Sequence, residues 1–312
     1  MKTAQIKEYG DTNIIEVATD AQKPSAQAGQ VLVEVHAASL NPVDKSVRSG
    51  HLHQMIPLAF PATLGGDFAG VITELGEGVS DFKVGDEVYG QALALMMGGT
   101  GSLAEYAAAQ SGKMALKPKS IDMNHAASLP LVGSSALQAI EDHINLKEGQ
   151  KILIQGGAGG VGSLAIQIAK LHGAYVATTV GTDDIEYAKS LGADEVIDYK
   201  TQDFTTIIKD YDAVFVTAAA TLNDSLKVVK EGGIVVSMVG PADEALAKER
   251  NITVIPQMTE ASTAQLTRFA ELVDNGTLKP EVAKTFTLDE AKQAFEYFEQ
   301  EHPRGKVVVT IK

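Results

Sequence analysis

The sequence predicts an α/β fold in two parts, a β-rich domain and a doubly wound parallel-sheet domain. Three observations predict it. Up to about residue 115 the 312-residue chain reads as short β segments separated by turn signals. From about Asn124, long helical patterns alternate with apolar strand-like runs. Residues 151–173, KILIQGGAGGVGSLAIQIAKLHG, join such a strand to a helix through closely spaced glycines.

In the first part VLVEVHAASL (31–40) alternates toward its end, FAGVITELGEGV (68–79) carries glycines at its bends, and DEVYG (86–90) follows the turn-like KVGD. Short strands at regular spacing point to a barrel-like or sandwich-like β domain. In the second part AASLPLVGSSALQAI (126–140) reads as a helix after Pro130. KILIQ (151–155), YVATTV (175–180), EVIDY (195–199), AVFVT (213–217) and GIVVSMV (233–239) read as strands. Their near-continuous apolar character suits a parallel sheet covered on both faces. A helix at 163–172 follows the first of them, and DDIEYAKSLGA is a helix stopped by Gly192. In the tail, ITVIPQ (252–257) is a strand, 263–275 and 288–302 are helices, and GKVVVTIK closes the chain as a strand. The tail is expected to rejoin the first domain. The predicted division is 1–123 with 256–312 for one domain and 124–255 for the other.

Composition narrows the function. With 26 basic and 40 acidic residues the formal charge is −14, which argues against nucleic acid or an anionic membrane as partner. The apolar fraction of 45% is ordinary for a globular protein. No run approaches the roughly 18 apolar residues of a membrane span. MKTAQIKEYG lacks an apolar secretory region, so a cytoplasmic location is expected. There is no cysteine, which excludes disulfides, thiolate nucleophiles and cysteine-ligated zinc.

Gly157, Gly159 and Gly162 are spaced G-x-G-x-x-G, with Ala158, Gly160 and Val161 between them. After a strand and before a helix, this is a dinucleotide-binding signature. The first glycine permits a sharp turn, the second lets a pyrophosphate reach the main chain, and the third lets helix and strand pack closely. The helix N-terminus then faces the phosphates. A purely structural β–α turn is the alternative.

Several blocks together resemble the medium-chain dehydrogenase/reductase superfamily, in its zinc-free quinone oxidoreductase branch. They are Asn41-Pro42-Val43-Asp44 with Arg48-Ser49-Gly50, Gly65-Gly66-Asp67-Phe68-Ala69-Gly70, and Val84-Gly85-Asp86-Glu87-Val88-Tyr89-Gly90. Ala104-Glu105-Tyr106, Ala127-Ser128-Leu129-Pro130, the glycine loop and Arg304-Gly305-Lys306-Val307 complete the set. The resemblance spans nearly the whole chain. It implies a GroES-like β domain plus a Rossmann domain, with the active site in the cleft between them. Zinc-dependent members place cysteine where this chain has Asn41, and histidine followed by glutamate where it has Gly66 and Asp67. No metal is expected. His51 and His53 read as a solvated loop pair.

The resemblance and the second strand together favour NADPH as cofactor. An NAD enzyme usually carries an acid about 20 residues beyond the glycine loop; here stand Thr179, Val180, Gly181 and Thr182. Against this, Asp183 and Asp184 follow directly and no Arg or Lys occurs in 179–188. Those two acids are equally explained as helix-start residues complementing the dipole. Tyr199 matches a tyrosine that meets the 2′-phosphate in similar enzymes, and Lys189 and Lys200 are further candidates. Thr217, Val239 and Gly240, at strand ends, are expected to line the cofactor, as are Arg304 and Lys306.

The family chemistry is hydride transfer to a quinone or an α,β-unsaturated carbonyl, driven by positioning in a water-poor cleft. Asn41 is the candidate to orient the nicotinamide, with an Asx turn before Pro42 as its alternative. Ser135 falls near the same ring in relatives, or bonds its own helix. Several quinone reductases have tyrosine where Ser46 stands, and others tryptophan at Lys45. No proton donor is assigned by this pattern; Lys45 is a candidate, although a solvent-facing lysine is commoner, and water is the alternative proton source. Asp44 and Asp67 read as structural carboxylates. Segments 51–60 and 91–101 read as apolar loops on the substrate side, with core packing as the alternative for their methionines. The leading reading is a zinc-independent NADPH:quinone reductase. The alternatives are an alkenal/enone double-bond reductase and an NADPH-binding sensor or structural protein. An acyl-thioester reductase would want a basic channel that this acidic chain does not offer. A homodimer is expected through sheet edges, with GIVVSMVG and ITVIPQ as the edge candidates.

Overall fold

The computed structural model describes residues 1–92, 101–301 and 303–312. The chain divides into two compact units. One holds Met1–Leu131, Ala261–Gly276 and Pro280–Lys312; the other holds Val132–Glu260 and Thr277–Lys279.

Among the described residues the first unit begins with eight strands: β1 (Thr3–Ile6), β2 (Glu16–Ala18), β3 (Gln30–Ser39), β4 (Ala62–Thr63), β5 (Asp67–Leu75), β6 (Glu87–Gln91), β7 (Tyr106–Gln110) and β8 (Met114–Leu116). Helix α1 (Pro42–Arg48) interrupts them and α2 (Met123–Ala127) follows. Because α2 packs on β3 and β5, this unit runs a few residues past the 123/124 division expected from the sequence.

Next come α3 (Pro130–Leu137), which continues as a π-helical turn over Gln138–His143, and β9 (Lys151–Gln155). The second unit goes on with α4 (Gly160–Leu171), β10 (Tyr175–Val180), α5 (Ile185–Ser190), β11 (Glu195–Asp198), α6 (Phe204–Ile207), β12 (Tyr211–Val216), α7 (Leu222–Val228), β13 (Val229–Ser237), α8 (Glu244–Glu249) and β14 (Thr253–Pro256). The chain then returns to the first unit through α9 (Thr263–Asp274), β15 (Val282–Thr287), α10 (Ala291–Gln300) and β16 (Lys306–Thr310).

In the first unit β15-β16-β3-β5-β6-β8 form a sheet that β7 joins by pairing with β3, and β2-β1-β4 form a small second sheet. Strand β16 pairs antiparallel with β3 and places Val308 opposite Ser39; β5 places Asp67 opposite Ser39 on the other side. So the last strand pairs with the N-terminal sheet. Helix α10 buries Ala291, Ala294 and Phe295, one face at helical spacing, against Ile6, Leu40 and Val307. Each fully buried large apolar side chain of this kind contributes about 1.5–3 kcal/mol.

The second unit is a six-stranded parallel sheet in the order β11-β10-β9-β12-β13-β14. That is the doubly wound order, whose direction of winding reverses between β9 and β12 and leaves a crevice at the carboxyl ends of the strands. Strands β9, β10 and β12 are buried almost throughout, because helices cover both faces. One expectation is corrected here. GIVVSMV lies in β13, which is hydrogen-bonded on both sides, to β12 and β14, so it is no edge. ITVIPQ contains β14, which does stand at the edge.

The 51–60 segment is a run of turns with Met55 and Phe60 exposed. Of the other predicted apolar loop, residues 93–100 lie outside the described residues, as does His302 at the end of the predicted 288–302 helix. Among the described residues no helix is long and apolar enough to cross a membrane.

Candidate active site

In the second unit, residues singled out between positions 157 and 240 converge on one end of the sheet. Gly157 lies two residues beyond β9, Gly181 one beyond β10, Tyr199 one beyond β11, Thr217 one beyond β12, and Val239 and Gly240 just beyond β13. All of these are carboxyl ends, the side on which open parallel sheets bind ligands.

The glycine loop shows which of its glycines the chain itself requires. A Cβ on Gly157 would lie 2.1 Å from Thr178 Oγ1, and one on Gly162 would lie 2.2 Å from the Gly156 carbonyl oxygen. Both positions are closed by the protein's own packing. A Cβ on Gly159 would meet nothing nearer than the Gly156 oxygen at 3.4 Å. Nothing in the fold demands a glycine there, so the open space fits a group brought in from outside. Gly159 is the N-cap of α4, and the N–H groups of Gly160, Val161 and Gly162 belong to the first turn, where helices lack internal partners. A dinucleotide pyrophosphate suits this cradle.

Two threonines expected at the cofactor hold the loop. Thr179 accepts the Gly156 N–H on its hydroxyl and the Gly157 N–H on its carbonyl, at 3.3 and 3.1 Å. The Thr217 hydroxyl donates to the Gln155 carbonyl at 2.7 Å. Sequence reasoning also passed over Gly156, whose φ of 68° makes the turn. Its signal was present, since it is the first glycine of the run after the strand.

At the end of β10, Gly181 leaves room for two neighbours. Its Cβ position would be 3.4 Å from Lys200 Cε, 3.5 Å from Tyr199 Oη and 3.7 Å from Lys200 Nζ. Tyr199 is 60% exposed, so its hydroxyl faces accessible space. Thr182 donates to Asp198 at 2.7 Å, which directs that carboxylate onto the chain; with the Lys200 N–H it holds Asp198 below the usual carboxylate range. Asp183 and Asp184 sit in a single 3₁₀ turn at the start of α5.

Ser135 is fully buried; its hydroxyl bonds Thr259 at 2.8 Å and its carbonyl accepts from Gln257 at 3.0 Å. Val239 donates its N–H to Ser237 Oγ at 3.2 Å.

The first unit holds a second constellation. Asn41 caps α1, and its backbone N–H donates to Asp44 at 2.7 Å. Its side-chain Nδ2 donates to Asp67 Oδ2 at 2.9 Å, while Oδ1 accepts from Lys306 Nζ. Lys306 also donates to the Leu40 carbonyl. Asp67 further accepts the Leu131 N–H at 3.1 Å and Gln91 Nε2 at 3.2 Å. All four of Asn41, Asp44, Asp67 and Lys306 are at least 95% buried. Burial, reinforced by the charge of Asp67, pushes the Asp44 carboxyl up to about 7. Burial also draws the Lys306 ammonium down, against the pull of Asp67 and Asp44.

A carboxyl raised in the folded state contributes stability at acid pH that is lost as pH rises. For Asp44 the window runs from the ordinary carboxylate value of 3.8 to about 7. The expected result is that Asp44→Asn gains stability relative to the parent across that window and runs parallel to it above. Urea midpoints at a series of pH values check this; a constant offset from pH 4 to 8 would contradict it.

Three further expected site residues also lie in the first unit. Lys306 is a buried partner of Asn41. Lys45 is half exposed and paired with Glu299 at 3.2 Å, beside Arg48, which binds the same carboxylate at 2.7 Å. That pairing suits a structural role better than proton donation. Arg304 is exposed two residues before Lys306. His51 and His53 are exposed and bond Ser49 and the Gly50 carbonyl within their own turn.

Comparison with known proteins agrees with this geometry. Residues 27–119 match the alcohol dehydrogenase GroES-like domain, and residues 191–309 match the family described as zinc-binding dehydrogenase, although the chain has no cysteine. The chain is 36% identical to the NADPH-dependent alkenal/one oxidoreductase of Arabidopsis thaliana, over 99% of its own length and 79% of that protein. It is also 36% identical to the 2-methylene-furan-3-one reductase of Solanum lycopersicum, with the same coverage. The solved quinone oxidoreductase from Coxiella burnetii shares 33% identity at a TM-score of 0.91, covering 100% of this chain and 99% of that one. The chain belongs to the medium-chain dehydrogenase/reductase superfamily, in its zinc-free quinone oxidoreductase-like branch.

Proposed function

We propose that this protein is an NADPH-dependent, zinc-independent reductase of quinones or other conjugated carbonyl compounds. The observation that carries the reading is the open cradle at Gly159, a glycine that the fold does not need but a pyrophosphate does. The relatives' names supply the acceptor class: one is an NADPH-dependent alkenal/one oxidoreductase, another a 2-methylene-furan-3-one reductase, and a third a quinone oxidoreductase.

When bound, NADPH supplies a hydride to the conjugated acceptor. The chain's part is to hold and orient. Gly159 and the first turn of α4 take the pyrophosphate, and Tyr199 with Lys200 takes the 2′-phosphate beside Gly181. As the resemblance implies, Val239 and Gly240 are the candidates for the nicotinamide ribose, and Asn41 and Ser135 for the ring. Zinc independence is supported by the donor set. In place of a thiolate stands Asn41, and the adjacent carboxylate Asp67 already has a cation close by in Lys306.

A homodimer through the β14 edge belongs to the same reading, because an open edge strand invites pairing across a two-fold axis. So does a cytoplasmic setting, since a chain without cysteine gains nothing from an oxidising compartment.

The test is NADPH and NADH oxidation followed by absorbance, with a small quinone and separately with an alkenal. Turnover of the quinone with NADPH supports the leading reading. Turnover of the alkenal alone moves the protein to the double-bond reductases, which the two plant relatives favour. Tight NADPH binding without turnover of either would leave a sensor or structural role.

A further inference from the structure

We propose that Lys306, together with Asp67, acts as a positioning pair that sets the orientation of the Asn41 side-chain amide and thereby fixes the direction of its one uncommitted N–H. The inference rests on the reading of Asn41 as the residue facing the nicotinamide.

A primary amide has one acceptor oxygen and two N–H donors, and its two ends are nearly the same shape. Left alone, such a group can turn over at little steric cost. Here the two ends meet groups of opposite kind. Lys306 is a donor only, so it selects the oxygen; Asp67 Oδ2 is an acceptor, so it selects the nitrogen. Asp67 also accepts from Leu131 and Gln91, which keeps it in the acceptor role. Turning the Asn41 amide over would set NH₂ against ammonium and C=O against carboxylate, a mismatch on both sides in a buried site.

One Nδ2 hydrogen goes to Asp67 and the other keeps a single direction. The backbone of the same residue is held independently by Asp44, which accepts its N–H. Lys306 itself is anchored by the Leu40 carbonyl, immediately before Asn41. A residue 265 positions away in the sequence thus decides how Asn41 presents its donor.

The test has one readout without cofactor and one with it. Without cofactor, the two Nδ2 protons of Asn41, assigned by their loss in Asn41→Ala, are followed by ¹H–¹⁵N NMR in deuterated protein. In the parent the proton bonded to Asp67 should exchange with solvent far more slowly than the other. In Lys306→Met the two should become similar. Unchanged exchange in that variant overturns the proposal, whatever the enzyme's activity.

With cofactor, single-turnover hydride transfer is compared in Lys306→Met, Asn41→Ala and the double variant. Misorientation of a positioning group costs on the order of 100-fold in rate. If Lys306 acts through Asn41, each single variant falls by about that factor, and the double is within about 3-fold of Asn41→Ala. Losses that multiply overturn the proposal. Because Lys306→Met leaves two buried carboxylates without a cation, Asp44→Asn with Lys306→Met is measured beside it; that pair keeps the net charge of the cluster when both aspartates are ionised. It should show the same loss of the NMR difference in a stably folded protein. Absence of turnover in the parent would instead count against the proposed function, leaving the NMR result to judge the positioning pair.

Discussion

Gly159→Asp is expected to weaken NADPH binding by at least about 100-fold without destabilising the protein. The two effects have opposite physical origins. Gly159 is the N-cap of α4, with φ −75° and ψ 170°, a conformation open to any residue. Aspartate is among the preferred N-caps and complements the positive end of the helix, so folding is unharmed or improved. The new carboxylate would stand where the pyrophosphate must lie, and juxtaposed like charges cost several kcal/mol in affinity. Gly162→Ala is the control with the reverse signature. Its Cβ would press to 2.2 Å from the Gly156 oxygen and 2.9 Å from Gly157 Cα, both backbone, and overpacking of this kind costs about 1–3 kcal/mol or more. Thermal unfolding and calorimetric titration with NADPH separate the two. Equal loss of stability at both positions would mean that the loop is only a turn.

The second large effect concerns the choice between NADPH and NADH. Lys200→Gln should lower the preference for NADPH by about 10- to 100-fold, through NADPH alone, since a charge-assisted hydrogen bond contributes about 1.5–3 kcal/mol. Lys200 Nζ and Tyr199 Oη both lie within 4 Å of the Gly181 Cβ position, and a phosphate placed there meets one cation and one hydroxyl. The acids nearby do not compete on equal terms. Asp198 receives the Thr182 hydroxyl and the Lys200 N–H. Asp183 and Asp184 stand at the beginning of α5, where negative charge is favoured by the dipole. The measurement is kcat/KM for both cofactors in parent and variant. Should NADH prove the better cofactor in the parent, the reading of the β10 end would be wrong.

Much of the nucleotide half was legible because its signals are local. A glycine that must admit another chain or a phosphate leaves its mark at its own position, and the buried strands β9, β10 and β12 show as continuous apolar runs. The ladder partners of each strand were less visible. GIVVSMV reads as well for an edge as for an interior strand, since both are apolar, and only the pairing with β12 and β14 shows it to be interior. Thr179 and Thr217 were recognised at the right strand ends, and only the structure shows that their hydroxyls hold the loop. A hydroxyl at a strand end can face a ligand or its own loop, and composition does not say which.

The sequence by itself determined the two-part α/β plan, the family and the glycine loop between strand and helix. Each depends on the periodicity, spacing or identity of residues near one another in the chain. Tertiary structure alone decided that Asn41, Asp67 and Lys306 form one buried cluster, joining positions 26 and 265 residues apart. It also decided that Lys306 meets Asn41 and not solvent, while Lys45 pairs with Glu299. The physical reason is that a buried charge must find its partner wherever the fold brings one. That requirement constrains the folded neighbourhood and leaves no periodic trace along the chain.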